Sequence, residues 1–185
     1  SLIEEEYNFE DALVTGQFLN SFIRHADVVK IANLAQVVNV IAPLKTRGDE
    51  LLKQTTFHAF KLYSERKEGD SLRLGISGDF FDADEGPVPC LDTSCIYSKD
   101  QRNLSLFMIN LSPTDKVSVT ANLFGLEVER VVGQILHHKD LKAVNTFEKQ
   151  DTVVAKDFTD ISSTLDSLQG ELPPASLVRL DVSIS

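Results

Sequence analysis

Apolar residues Phe9, Ala12, Leu13, Gly16, Leu19 and Ile23 recur at helical spacing, and Phe18 and Phe22 widen the stripe. This predicts a long amphipathic helix ending near residue 24. Asn8 is its N-cap, with Asp11 three residues later. That pair is a weaker relative of the capping box, and the Asp11 carboxylate also suits the positive end of the helix. His25 falls in the last turn, where it reads as a C-terminal capping contact. Residues 25–43 are then nearly unbroken apolar, bounded by charge on one side and Pro43 on the other. Such a run predicts a parallel strand over residues 29–36, buried on both faces. Asn33, Gln36 and Asn39 interrupt it. A buried amide left unpaired costs about 1 to 3 kcal/mol, so each needs protein groups or a polar ligand. Residues 45–49 read as a loop, and 51–64 return to a helical pattern. Helix, buried strand, loop, helix is part of a (β/α) barrel, with Gln36 at the C-terminal end of the strand, where such barrels keep their sites.

Charge and glycine over residues 66–70 form a boundary, and shorter alternating runs follow at 72–76, 91–97, 104–110, 117–123, 128–136, 152–154, 167–172 and 177–184. Runs of this length with polar turns predict an antiparallel β-sandwich. Residues 104–110 and 117–123 alternate with period two around Ser112, Pro113, Thr114 and Asp115, which predicts a hairpin. The last run alternates most cleanly and is expected in the interior of a sheet.

A chain of 185 residues with 42% hydrophobic positions has enough apolar material for cores. Its net charge of -10 and pI near 4.8 argue against a nucleic-acid or anionic membrane partner, while a neutral sugar is indifferent to that charge. No apolar run reaches membrane-spanning length, and no secretory leader is visible. Cys90 and Cys95, without a second pair, read as free thiols and favour a reducing compartment.

Candidate chemistry is sparse. His137, His138 and Asp140 invite a metal, but adjacent strand residues point to opposite faces, so loop or strand-end histidines are expected. Asp79, Asp82, Asp84 and Glu85 before Gly86 are in the wrong order for a calcium loop and read as an acidic surface segment. Glu4, Glu5, Glu6 and Glu10 read as a solvated helix entrance. Neither a glycine-rich phosphate loop nor a serine nucleophile elbow occurs, and no cofactor or metal site is expected. Without Trp and with three Tyr, the sandwich has few aromatic platforms for sugars.

Several blocks, taken in order, are similar to the α-L-arabinofuranosidases of glycoside hydrolase family 51. They are Tyr7-Asn8-Phe9-Glu10-Asp11-Ala12-Leu13, Phe22-Ile23-Arg24-His25-Ala26-Asp27, Leu34-Ala35-Gln36-Val37-Val38-Asn39-Val40-Ile41-Ala42-Pro43, Asp140-Leu141-Lys142-Ala143-Val144-Asn145-Thr146-Phe147-Glu148-Lys149 and Leu172-Pro173-Pro174-Ala175-Ser176-Leu177. Gln150 departs from the pattern where many relatives continue with Pro. The resemblance implies the C-terminal end of a (β/α)8 barrel over residues 1–69, followed by a jelly-roll-like antiparallel β-sandwich over 70–185. It also implies part of a retaining glycosidase that releases terminal α-L-arabinofuranosyl residues from arabinan- and arabinoxylan-type oligosaccharides. Two glutamates about 5 Å apart perform that chemistry. In the family they lie before the Tyr7 block, so no catalytic residue is expected in this chain. Gln36 matches a position that hydrogen-bonds the arabinose nearest the cleavage point, with Asn39 a weaker candidate that could instead hold the following loop. The resemblance further implies the remaining barrel as partner, a homo-oligomer and a cytoplasmic location. The other function considered is a non-catalytic sandwich that binds sugars or another protein.

Overall fold

In the computed structural model, which describes residues 4–84 and 86–185, the first helix starts where the sequence places it. Asn8 Oδ1 accepts the Asp11 N–H at 3.2 Å, and the Asn8 N–H donates to Asp11 Oδ2 at 2.8 Å, closing the capping box. The helix, α1 (Phe9–Arg24), ends at His25, whose Nδ1 lies 2.8 Å from the Ser21 carbonyl oxygen, the expected capping contact.

The buried strand predicted over residues 29–36 is not formed. Residues 25–43 hold no strand, and Val28, Ile31 and Val37 are 72%, 79% and 78% exposed. An apolar strand of this kind needs neighbours on both edges and cover on both faces, and the described residues supply neither. The loop predicted over 45–49 is a hairpin. Its strands β1 (Leu44–Arg47) and β2 (Glu50–Lys53) pair antiparallel, with Gly48 in the turn at φ +59. The second helix, α2 (Thr55–Ser64), therefore begins later than its apolar pattern, because residues 51–53 pair in the hairpin.

Short strands follow: β3 (Asp70–Leu72), β4 (Phe80–Ala83), β5 (Gly86–Pro89), β6 (Leu91–Ser98), β7 (Asn103–Asn110), β8 (Val117–Asn122), β9 (Val128–His137), β10 (Lys156–Phe158), β11 (Ile161–Ser163), β12 (Ser167–Leu172) and β13 (Ser176–Ile184). The run predicted at 72–76 keeps only the last residue of β3, and 152–154 holds no strand. The acidic segment near residues 79–85 is drawn into the β4–β5 hairpin, with Glu85 outside the described residues.

A six-stranded antiparallel sheet has the order β10-β9-β13-β7-β6-β3, and a smaller one the order β11-β12-β8. β13 lies between β9 and β7, in the interior as expected. The hairpin predicted between β7 and β8 does not exist, because β7 pairs with β6 and β13 while β8 pairs with β12. The turn between them carries the chain from one sheet to the other. Ser112 Oγ accepts the Asp115 N–H at 3.0 Å, and Asn110 Nδ2 donates to the carbonyls of Asp115 and Pro173, each at 2.8 Å.

The large sheet is covered on both faces. Phe107, Ile109, Leu136 and Leu177 meet Phe9, Ala12, Leu13 and Leu19 of α1 and Ala59, Leu62 and Tyr63 of α2. Tyr63 stacks on Phe107 with ring centroids 4.1 Å apart, and a Cβ at Gly16 would come within 2.9 Å of Ile109 Cδ1, so α1 rests closely on the sheet. On the other face Leu104, Leu106, Met108, Val178, Leu180 and Val182 pack against Leu168 and Leu172 of β12 and Val119 and Ala121 of β8. The two sheets are sandwich-like, and the helices add a third layer that shares a core with the strands.

Polar bonds fasten α2 to this sheet. The buried Arg179 Nη1 donates to the Leu62 carbonyl and to Glu65 Oε2, both at 2.8 Å, and Nη2 donates to Gln134 Oε1 at 2.8 Å. Asp181 Oδ1 accepts from Arg66 Nε and Ser105 Oγ, each at 2.9 Å. The hydrogen bond from Arg179 holds the Glu65 carboxyl below its ordinary pKa.

Leu177→Ala on the helix side and Leu180→Ala on the sandwich side should each destabilise the chain by about 2 to 5 kcal/mol in urea denaturation followed by circular dichroism. A loss under about 1 kcal/mol for Leu177→Ala would mean that the helices do not cover that face.

Candidate functional site

The end of the apolar segment is held by a polar web. Asn39 Oδ1 accepts the Thr46 N–H at 2.8 Å, its Nδ2 donates to Thr46 Oγ1 at 3.0 Å, and its own N–H donates to the Leu44 carbonyl at 2.8 Å. The buried Gln54 donates its N–H to the Pro43 carbonyl at 2.9 Å and its Nε2 to the Ala42 carbonyl at 2.7 Å. Gln54 Oε1 accepts the Tyr7 N–H at 3.1 Å. The Tyr7 hydroxyl donates to the Ile41 carbonyl, and the Glu5 N–H to the Val40 carbonyl, both at 2.8 Å. Burial, reinforced by the Glu5 and Asp11 carboxylates, raises the Tyr7 pKa above the usual phenol value, which keeps the hydroxyl a donor.

This web holds an unusual backbone. Asn39 and Val40 have φ of +62 and +58, consecutive non-glycine residues in the left-handed region. Asn tolerates that region, while β-branched Val does so rarely. Such residues cost about 1 to 3 kcal/mol each and persist only where the surroundings over-determine them.

Gln36 lies three residues before Asn39. It is exposed, and its side chain makes no hydrogen bond with the other described residues. Asn33 is exposed too. The structure therefore does not gather the three amides into one pocket. Asn39 is engaged by Thr46, as the loop-holding reading expected, and Gln36 stays open to solvent.

Two grooves lie elsewhere. One of about 410 Å³ runs between α1 and the start of β6, lined by Val14, Phe18, Arg24, Leu91, Asp92 and Leu111. The other, about 220 Å³, is polar and lies beside the end of α2, near Glu65, Arg66, Lys67, Ser98, Asn103 and Ser105. Gln36 lines neither.

Several other residues have structural work. His137 Nδ1 lies 3.3 Å from the Ala175 carbonyl oxygen, with its ring edge-on to Phe9. His138 Nδ1 accepts the Asp140 N–H at 3.1 Å. Among the described residues no group of three or more His, Cys, Asp or Glu is placed to hold a metal ion. Cys90 and Cys95 are free thiols, and burial pushes Cys95 up to about 12. The block over residues 140–149 packs against the start of α1 and the end of β2. The Phe9 and Glu10 N–H groups donate to the Ala143 and Leu141 carbonyls at 2.9 Å, and Asn145 Nδ2 donates to the Lys53 carbonyl at 3.1 Å. Sequence patterns missed Gln54 and Arg179, since an isolated polar residue beside an apolar run carries no period. They missed His58 for the same reason. Its Nε2 is buried without a partner among the described residues, and desolvation, with Lys53 and Lys61 nearby, lowers its pKa to about 4.

Residues 1–176 match the α-L-arabinofuranosidase C-terminal domain. The chain belongs to this family. It is 38% identical over 155 residues to the intracellular exo-α-(1→5)-L-arabinofuranosidase 1 of Bacillus subtilis (strain 168), an alignment that covers 82% of this chain and 31% of that one. It is 34% identical over 187 residues to the exo-α-(1→6)-L-arabinofuranosidase of Bifidobacterium longum, covering 98% and 36%. The GH51 arabinofuranosidase of Xanthomonas axonopodis pv. citri superimposes with a TM-score of 0.91 at 27% identity, over 98% of this chain and 37% of that one. The chain thus spans about a third of the length of these relatives. Among the described residues no helix is long and apolar enough to cross a membrane.

The low pKa of His58 has a consequence for stability. Its folded value of about 4 lies below the ordinary 6.5, so the folded chain binds fewer protons than the unfolded chain between those values. The stability that the neutral ring sustains is full above 6.5 and lost as pH falls toward 4. Thermal denaturation should therefore show a shallower fall in Tm over that interval for His58→Gln than for the unsubstituted chain, and an equal fall would contradict the assignment.

Proposed function

We propose that the chain is the C-terminal part of a retaining α-L-arabinofuranosidase that removes terminal α-L-arabinofuranosyl residues from arabinan- and arabinoxylan-type oligosaccharides. The observation that carries this reading is the family match over residues 1–176 in a chain about a third as long as its relatives. The uncovered apolar residues support it. Val28, Ile31 and Val37 in the segment, and Val14 and Phe18 on α1, are exposed. Covering a large aliphatic or aromatic side chain is worth about 1.5 to 3 kcal/mol, so these positions favour more polypeptide against them.

In the complete enzyme, residues 1–69 supply the last elements of a (β/α)8 barrel, and 70–185 form a jelly-roll-like sandwich beside it. Residues 29–36 take up the strand conformation their pattern encodes once barrel strands flank them. Gln36 then stands at the C-terminal end of that strand and hydrogen-bonds the arabinose nearest the cleavage point. The two glutamates that act as acid/base and nucleophile come from the upstream part of the same polypeptide. The partners are that upstream part, the arabinose-containing oligosaccharide and further copies of the enzyme. The intracellular relative of Bacillus subtilis supports a cytoplasmic location, and the charge of -10 disfavours nucleic acid and anionic membrane.

In the complete enzyme, Gln36→Ala should lower kcat/KM for an aryl α-L-arabinofuranoside about 10- to 100-fold without loss of fold, the range expected for a lost sugar hydrogen bond. An unchanged kcat/KM would remove Gln36 from the site. The isolated chain should show no turnover of that substrate, and hydrolysis by the pure chain would overturn the proposal that the acids lie upstream.

A further inference from the structure

We infer that Asn39 is a positioning residue that fixes the amide of Gln36 against the sugar, an inference that rests on the function proposed above. Two residues separate Gln36 from Asn39, so the placement of one backbone governs the other. On the N-terminal side, residues 25–35 offer Gln36 no strand partner. On the C-terminal side Asn39 is tied to β1 by both its side-chain atoms, and β1 is paired along its length with β2. The Gln54 and Tyr7 bonds to Ala42, Pro43 and Ile41 hold the rest of the turn. In this chain the position of Gln36 is therefore set from the C-terminal side; in the complete enzyme the proposed strand holds it from the N-terminal side as well, and Asn39 remains the first fixed point after it.

The chemistry of Asn39 suits that task rather than direct contact with sugar. Its Oδ1 and Nδ2 are both engaged by Thr46, at 2.8 and 3.0 Å, while the Gln36 side chain has no partner among the described residues. Its left-handed backbone at φ +62 turns the chain sharply after the amide. Strained backbone held by a dedicated web is a feature of sites that need fixed geometry. A displacement of about 1 Å at a reacting centre can cost about 100-fold in rate, so loosening this turn is felt at the sugar. The Asn39–Thr46 contact is exposed and neither residue belongs to either core, so its removal should leave both cores intact.

The test is a double-mutant cycle in the complete enzyme on an aryl α-L-arabinofuranoside, with Tm followed alongside. Asn39→Ala should lower kcat/KM about 10-fold. Asn39→Asp keeps an acceptor for the Thr46 N–H and should recover most of the activity. The Gln36→Ala/Asn39→Ala enzyme should be no worse than Gln36→Ala alone, because Asn39 acts through that amide. Losses that multiply in the double variant, or wild-type kcat/KM for Asn39→Ala, overturn the inference and leave the role of Gln36 standing. Wild-type kcat/KM for Gln36→Ala instead overturns that role and this inference with it. Should Asn39→Ala not fold, Thr46→Val, which removes only the hydroxyl acceptor, takes its place in the same cycle.

Discussion

Strands β7 and β13 are apolar on both faces, and a sheet built on such strands must be covered twice. Phe107, Ile109 and Leu177 point to one side and Leu106, Met108, Val178 and Leu180 to the other. The small sheet covers the second side. Helices α1 and α2 cover the first, which binds the N-terminal third of the chain to the strands that follow it. Polar side chains make this docking specific. Asn20, fully buried on α1, accepts hydrogen bonds at Oδ1 from Tyr63 at 2.9 Å and Ser94 at 2.6 Å, and donates from Nδ2 to Asp92 at 2.8 Å. One amide thus joins α1, α2 and β6. An unsatisfied amide in that position would cost about 1 to 3 kcal/mol, so any other seating of the helices is disfavoured.

Residues 25–43 are the part whose own pattern the described residues do not meet. Their ends are secured, by α1 on one side and by Asn39, Gln54 and Tyr7 on the other, while Val28, Ile31 and Val37 between them are largely exposed. The segment's uncovered apolar side chains are the ones that the proposed upstream part of the enzyme would cover. This is the feature that links the fold to the proposed enzyme, because the amide that would meet the sugar sits among them.

Local features were legible where neighbours in sequence are also neighbours in space. The Asn8–Asp11 capping box, the His25 contact and strands β6, β7, β9, β12 and β13 follow from spacing alone. Pairing was not legible. β7 and β8 both alternate with period two, and alternation says which face is apolar but not which strand lies alongside. The run at residues 29–36 forms no strand for a related reason, since a two-faced apolar pattern requires neighbours on both sides but does not say where they come from, and the described residues supply none. At the candidate site, Gln36 and Asn39 stood out as amides in an apolar run. Gln54 did not, because its role depends on carbonyls at residues 42 and 43 that only the fold brings within reach.

Amide hydrogen exchange of the isolated chain and of the complete enzyme tests this account most directly. The amides of β7 and β13 should be among the slowest in both, while those of residues 30–38 exchange freely in the isolated chain and become protected in the complete enzyme. Protection of residues 30–38 already in the isolated chain, or none in the complete enzyme, would contradict it.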